Sequence, residues 1–263
     1  MEDVSVQTVQ ALEEKGRIVL SGGAEASATA GSLTGGSPAA AGLLVGDGTV
    51  LVTVACAEGG YTAGINDAAA VANAVLTPEQ IKHVNEGETI EVRIDIRDIS
   101  ESMPPRDLET VEKGCEVYER YLPDLKLGGY VDISVYVKTG ESGWNAVTET
   151  GEPIEVVIGI PEELRGEGRE YYIIRAHENR YALLNDMDEE PDTITIITDM
   201  FSSYVIAYRE TGGAYGSAVC GLCHICPTFL GICCYVWLAV IAAAAIAVAV
   251  ILIQRRKKEA TKA

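Results

Sequence analysis

From Glu88 to Ile99 the chain alternates strictly, with Ile90, Val92, Ile94 and Ile96 on one side and Glu91, Arg93, Asp95 and Arg97 on the other. A period of two predicts a strand buried on one face and paired with antiparallel neighbours. Thr49 to Cys56 repeats the pattern with Val50, Val52, Val54 and Cys56 inward, and Arg17 to Ser21 reads as a shorter strand. Further strands are predicted at Tyr130 to Lys138, Pro153 to Ile160, Tyr171 to His177, Tyr181 to Asn185, Thr193 to Thr198 and Phe201 to Tyr208. Glycine or acidic turns separate most of them, a spacing that suits a sandwich better than repeated βαβ units.

Four short stretches break the period of two. Asp67 can cap a helix over Ala68 to Leu76. Thr77-Pro78-Glu79-Gln80 then combines an N-cap, a proline in the first turn and a glutamine at the capping-box position, and Gly87 closes that helix. Leu108, Val111, Cys115, Tyr118 and Leu122 recur at helical spacing after Pro104-Pro105, which predicts one amphipathic helix lying on a sheet. Pro161 to Arg165 reads as a single helical turn between strands.

The last departure is the largest. No charged residue occurs from Phe229 to Ile253, and Arg255, Arg256, Lys257 and Lys258 follow at once. A membrane-spanning helix needs about 20 apolar residues, and Tyr235 to Ile253 supplies that length. Tyr235 and Trp237 take the positions of interfacial aromatics. Basic residues beside a span stay in the cytoplasm, so residues 254–263 are expected inside and the preceding chain outside, at a plasma membrane crossed once. Met1-Glu2-Asp3-Val4 does not read as a signal peptide. The chain is therefore expected to be part of a longer exported protein. A tail-anchored protein facing the cytosol is the alternative, and it sets the basic cluster against the positive-inside rule.

Charge sharpens this picture. The protein carries a net charge of −19, the basic tail contributes +4, and the remaining −23 falls on the rest of the chain. Such an ectodomain repels nucleic acid and anionic headgroups. The expected fold is mainly β: an antiparallel, sandwich-like (Ig-like) ectodomain with short helices packed on it, plus one C-terminal transmembrane helix. The expected division is a Gly/Ala-rich β segment over 1–60 belonging to an upstream module, a membrane-proximal β-rich module over 61–210, a Cys-rich juxtamembrane linker over 211–228, the transmembrane helix over 229–253 and the basic tail over 254–263.

The strings Glu152 to Leu164, Arg169 to His177, Asp192 to Asp199 and Phe201 to Tyr208, followed by the cysteine-rich run Cys220 to Tyr235, a span and a basic tail, resemble the membrane-proximal module of large repeat-containing surface proteins of Gram-positive gut bacteria of the Clostridia type. The resemblance covers roughly Asp67 to Lys258. It implies a secreted β-rich ectodomain beside the membrane, with further modules upstream in longer relatives. It names no substrate and no catalytic residue.

Candidate chemistry is sparse. Five of the seven cysteines lie between Cys220 and Cys234. Cys220, Cys223, His224 and Cys226 have zinc-ligand spacing, although four ligands within seven residues strain a tetrahedral site unless chains share the metal. Disulfides within or between chains, or small polarizable residues at a headgroup-level linker, are the competing readings. Cys56 and Cys115 read as buried apolar positions, with a pair between them left open. Asn185 to Asp192 places five carboxylates in one turn, a donor set suited to calcium but without EF-hand spacing, and a solvated hairpin turn is the plainer reading. Asp95 with Asp98, and Glu162 with Glu163, raise a two-carboxylate glycosidase, but they alternate with other solvent-facing charges. No hydrolase elbow, zinc-protease or phosphate-loop motif occurs. No catalytic residue is assigned, and no enzyme is expected. Trp144, in the turn Glu141 to Asn145, is the one aromatic suited to stacking a glycan. The expected partners are the lipid bilayer, ligands on host or neighbouring cells, and a second copy of the chain, since Ala242 to Ala249 presents small residues at helical spacing.

Overall fold

The computed structural model describes residues 5–21, 27–30, 39–57, 61–188, 190–211, 228–229 and 232–233. Two units are distinguished, Met1–Arg209 and Glu210–Ala263. In the second, apart from Glu210 and Thr211, the described residues are two short paired strands, Thr228–Phe229 and Ile232–Cys233.

The first unit is built on strands β1 (Ser5–Glu14), β2 (Arg17–Leu20), β3 (Ala28–Ala30), β4 (Ala39–Val45), β5 (Gly48–Cys56) and β6 (Ala63–Ile65). Helices α1 (Ala68–Val75) and α2 (Pro78–Asn85), strand β7 (Thr89–Asp98) and helix α3 (Pro105–Tyr118) follow. The remaining strands are β8 (Lys126–Thr139), β9 (Asn145–Val147), β10 (Glu149–Gly159), β11 (Arg169–His177), β12 (Arg180–Asn185), β13 (Thr193–Met200) and β14 (Ser203–Glu210). The helix caps follow the sequence: Asp67 accepts from the Ala70 amide, and Thr77 and Gln80 form the reciprocal capping box.

The main sheet runs β12-β11-β14-β8-β7-β5-β4-β1-β2, with β9 also on β8, and the second sheet runs β13-β10-β6-β3. An all-antiparallel sheet was expected. The main sheet is instead mixed, because β1 pairs parallel with β4, and β5 parallel with β7. The β5–β7 pairing is possible because β6, α1 and α2 intervene and carry the chain back to the starting end, as a parallel pair requires. Strands β1, β2, β4 and β5 share this sheet with β7, β8, β9, β11, β12 and β14, so the boundary expected at residue 60 falls inside one hydrogen-bonded surface.

One large apolar cluster lies between the sheets and under α1 and α2. It takes Val50, Val52 and Val54 from β5, Ile90, Val92, Ile94 and Ile96 from β7, Val131, Ile133, Val135 and Val137 from β8, and Ile154, Val156 and Ile158 from β10. Full burial of a side chain of this kind is worth about 1.5–3 kcal/mol, and the strict alternation holds every one of them inward. A second cluster lies on the opposite face of the main sheet. There Val111 and Cys115 of α3 cover Ile174 and Ala176 of β11 and Val205 and Ala207 of β14. Strand β14 is thus buried on both faces, with Tyr204 and Ile206 in the first cluster, which is why its sequence is a continuous apolar run rather than an alternating one.

The tight hairpins use left-handed residues. Lys15 (φ 55°) and Gly16 (φ 79°) join β1 to β2, and Glu178 (φ 48°) and Asn179 (φ 63°) join β11 to β12. Positive φ at two successive central residues is the twist-matched geometry of a two-residue β-turn. The β4–β5 turn docks on α2. The Asp47 amide donates to the Asn85 carbonyl at 3.3 Å and the Thr49 amide to the Glu88 carbonyl at 3.2 Å.

Candidate functional site

Trp144 lies in the connection from β8 to β9 and is 38% exposed. It covers side chains on the outer, charged face of the main sheet, where β7 and β8 run side by side. The Arg93 guanidinium stands 4.6 Å from the Trp144 ring centre and 5.2 Å from that of Tyr136, and the Lys138 ammonium stands 5.9 Å from Trp144. Register explains the meeting, since Arg93 pairs with Tyr136 and Glu91 with Lys138 across the β7–β8 ladder. Each cation is also neutralised locally. Lys138 pairs with Glu91 at 2.7 Å, Arg93 Nε lies 3.0 Å from Asp95 Oδ1, and Arg97 donates to the Tyr136 hydroxyl at 3.4 Å. The Arg93 Nε–H is buried and forms no hydrogen bond, so its pairing with Asp95 is electrostatic only. Cation–π attraction to both rings adds to that pairing and ties the Trp144 ring to this guanidinium.

The acidic turn has a different job. Asp186 Oδ1 accepts from the amides of Asp188 (3.2 Å) and Thr195 (3.0 Å). Asp188 accepts from the Thr193 hydroxyl at 3.1 Å, from the Thr195 hydroxyl at 2.5 Å and from the Glu190 amide at 2.8 Å. Burial, with Asp188 nearby, pushes the Asp186 carboxyl above its ordinary value although its backbone donors pull the other way. These two carboxylates tie the turn to β13. Among the described residues no group of three or more His, Cys, Asp or Glu side chains is placed to hold a metal ion. Sequence reading did not find the open cleft of about 540 Å³ beside this turn, where Arg169, Glu170 and Tyr172 face Asp186 and Asp188. Its two walls are brought together only by the β11–β12 hairpin, and no local pattern signals that.

Asp95 and Asp98 take different partners. Asp95 is held between Arg93 and Arg97, whereas Asp98 accepts from the Ser100 amide at 2.7 Å in a turn. Glu162 and Glu163 are exposed on a 3-10 turn, and His83 faces Glu88 at 3.3 Å. Cys56 and Cys115 are buried thiols in different apolar clusters, not a disulfide pair. The expected zinc ligands Cys220, Cys223, His224 and Cys226 lie outside the described residues. So do the anchor residues Tyr235, Trp237, Arg255, Arg256, Lys257 and Lys258. Phe229, Ile232 and Cys233, at the start of the expected span, are described and lie in strands. Among the described residues no helix is long and apolar enough to cross a membrane.

Compared with models of known protein families, with curated proteins and with solved structures, the chain matches none.

Proposed function

We propose that this chain is a single-pass membrane-anchored surface protein whose β unit is an ectodomain of stalk or adhesin type. One observation carries the reading: a two-sheet β unit ending at Arg209 is followed in sequence by a charge-free run, Tyr235 to Ile253, and then by Arg255 to Lys258. The resemblance of residues 67–258 to membrane-proximal modules of Gram-positive surface proteins supports it. So does the acidity of the chain outside the tail, which keeps an ectodomain soluble and off anionic lipid. Labelling intact cells with a membrane-impermeant amine reagent tests the topology. Lys113 and Lys82, both exposed on helices, are expected to be modified without permeabilisation, and Lys257 and Lys258 only after it. The reverse pattern assigns the tail-anchored, cytosol-facing orientation and ends the surface reading.

A second reading is favoured by the Trp144 platform. The exposed part of an indole that has the Arg93 guanidinium and the Lys138 ammonium near its ring offers apolar surface to a sugar ring, beside the polar Glu91–Lys138 pair. A glycan array that finds a ligand bound by the wild type and lost in Trp144→Ala supports a binding module. A ligand bound equally by both removes Trp144 from the site.

A further inference from the structure

Each outermost strand of a sheet carries backbone N–H and C=O groups that point away from its one neighbour and can accept another strand. Among the described residues, three strands at the ends of the two large sheets have such groups already occupied by another part of the chain. On β2, Asn73 of α1 makes both bonds: its Oδ1 accepts from the Ile18 amide at 2.7 Å and its Nδ2 donates to the Ile18 carbonyl at 2.9 Å. On β12, the Tyr118 hydroxyl at the end of α3 accepts from the Leu183 amide at 3.0 Å. On β13, Asp186 accepts from the Thr195 amide at 3.0 Å while the Met187 amide donates to the Thr195 carbonyl at 2.9 Å.

We infer that Asn73, Tyr118 and Asp186 are edge guards: they supply the hydrogen bonds an incoming strand would make, and so keep a second copy of this chain from adding to the sheets. Asn73 is the clearest case. It is the one polar residue in an eight-residue helix of alanine and valine, at a mid-helix site where asparagine is a poorer helix former than alanine. Its amide reproduces the donor and acceptor of a peptide group, which alanine there would not. The edge it covers is the one most in need of cover, because Val19 of β2 and Leu12 of β1 pair across the ladder with side chains 43% and 55% exposed. A strand added at Ile18 would extend a sheet that is already apolar on that outer corner.

The test uses the full-length chain in detergent micelles. Wild type, Asn73→Ala, Asn73→Asp and Ile81→Ala are compared by sedimentation over a wide concentration range and by hydrogen exchange at Ile18. Ile81 lies on the buried face of α2 and its apolar side chain makes no hydrogen bond to the edge groups named above, so Ile81→Ala controls for association caused by lost stability alone. The expected result is concentration-dependent association in Asn73→Ala beyond that of Ile81→Ala, with Ile18 exchange faster by roughly tenfold, as loss of a protecting hydrogen bond gives. Asn73→Asp keeps the acceptor but cannot donate to the Ile18 carbonyl, and is expected to fall between wild type and Asn73→Ala. Association of Asn73→Ala no greater than that of Ile81→Ala overturns the inference. Should Asn73→Ala fail to fold, Asn73→Asp behaving as wild type in both measurements overturns it equally.

Discussion

Gly48 opens β5 against the C-terminal end of α2, and replacing it with alanine puts a methyl group where two carbonyls already stand. A Cβ built on Gly48 lies 2.0 Å from the Val84 oxygen and 2.3 Å from the Glu88 oxygen. Carbon–oxygen contacts ordinarily close no nearer than about 3.3 Å. The turn and the helix must therefore part by about 1.3 Å, and both partners are backbone, with no rotamer to give way. Overpacking of this kind costs about 1–3 kcal/mol. Parting also breaks the bonds from the Asp47 and Thr49 amides to Asn85 and Glu88, each worth about 0.5–1.5 kcal/mol. Gly48→Ala is thus expected to destabilise by about 2–6 kcal/mol. At about 2–4 °C per kcal/mol for a unit of this size, Tm falls by roughly 4–24 °C. Gly151→Ala is the matched control, since a Cβ there meets nothing within 4 Å. It carries the same change in unfolded-chain entropy and is expected to stay within about 0.5 kcal/mol of wild type. Thermal and urea unfolding by circular dichroism measure both. Equal midpoints for the two variants would refute the claim that the β4–β5 turn is wedged on α2.

Three further outcomes follow from burial. Burial pushes the Tyr204 phenol up to about 12 and the Cys56 thiol up to about 11, and it raises Tyr61 as well; the unfolded chain gives up these protons first, so stability is full below about pH 9 and falls as pH rises towards 12. Tyr204 is fully buried, and a phenol that titrates at about 12 instead of its ordinary 10.0 accounts for about 3 kcal/mol of that loss; a stability profile of Tyr204→Phe as steep as that of wild type above pH 10 would contradict this. Asp186→Asn keeps the acceptor for the Asp188 and Thr195 amides and removes a desolvated charge; because the folded carboxyl is raised, its ionisation costs stability as pH climbs past its ordinary value of 3.8, so the Asn variant should match or exceed wild type in Tm at pH 7 and lose any advantage in acid, whereas Asp186→Ala should cost about 1–3 kcal/mol. Peptide-level mapping of alkylation should find Cys56 and Cys115 unmodified in the folded chain and modified in denaturant; modification of either under native conditions would show that its cluster opens.

Local chemistry made much of the fold readable. The capping box of Thr77 and Gln80, the Asp67 cap and the alternation of β7 each need only neighbours in sequence, and each stands where the pattern put it. What escaped was set by distant partners. Strand β1 mixes Gln, Thr and Glu with few large apolar residues, and β4 is largely Ala and Gly, so neither shows an amphipathic period; both are strands because β2 and β4 complete the ladders of β1, and β1 and β5 those of β4. The parallel pairings escaped for the same reason, since a period of two is silent on direction. At Trp144 the aromatic was legible and its setting was not. Arg93 looked like one more solvent-facing charge until the β7–β8 register brought it beside Tyr136 and under the indole.

The parallel seam between β5 and β7 makes the first quarter of the chain indispensable to the remainder. It joins eight consecutive residue pairs, from Thr49 with Thr89 to Cys56 with Ile96, in the interior of the main sheet. A protease cut followed by loss of the leading fragment would convert β7 from an inner strand into a raw margin, with its whole row of amides and carbonyls bare and the valines of β5 missing from the core. A shortened version starting after residue 60 would accordingly come out of solution rather than survive as a smaller copy of itself.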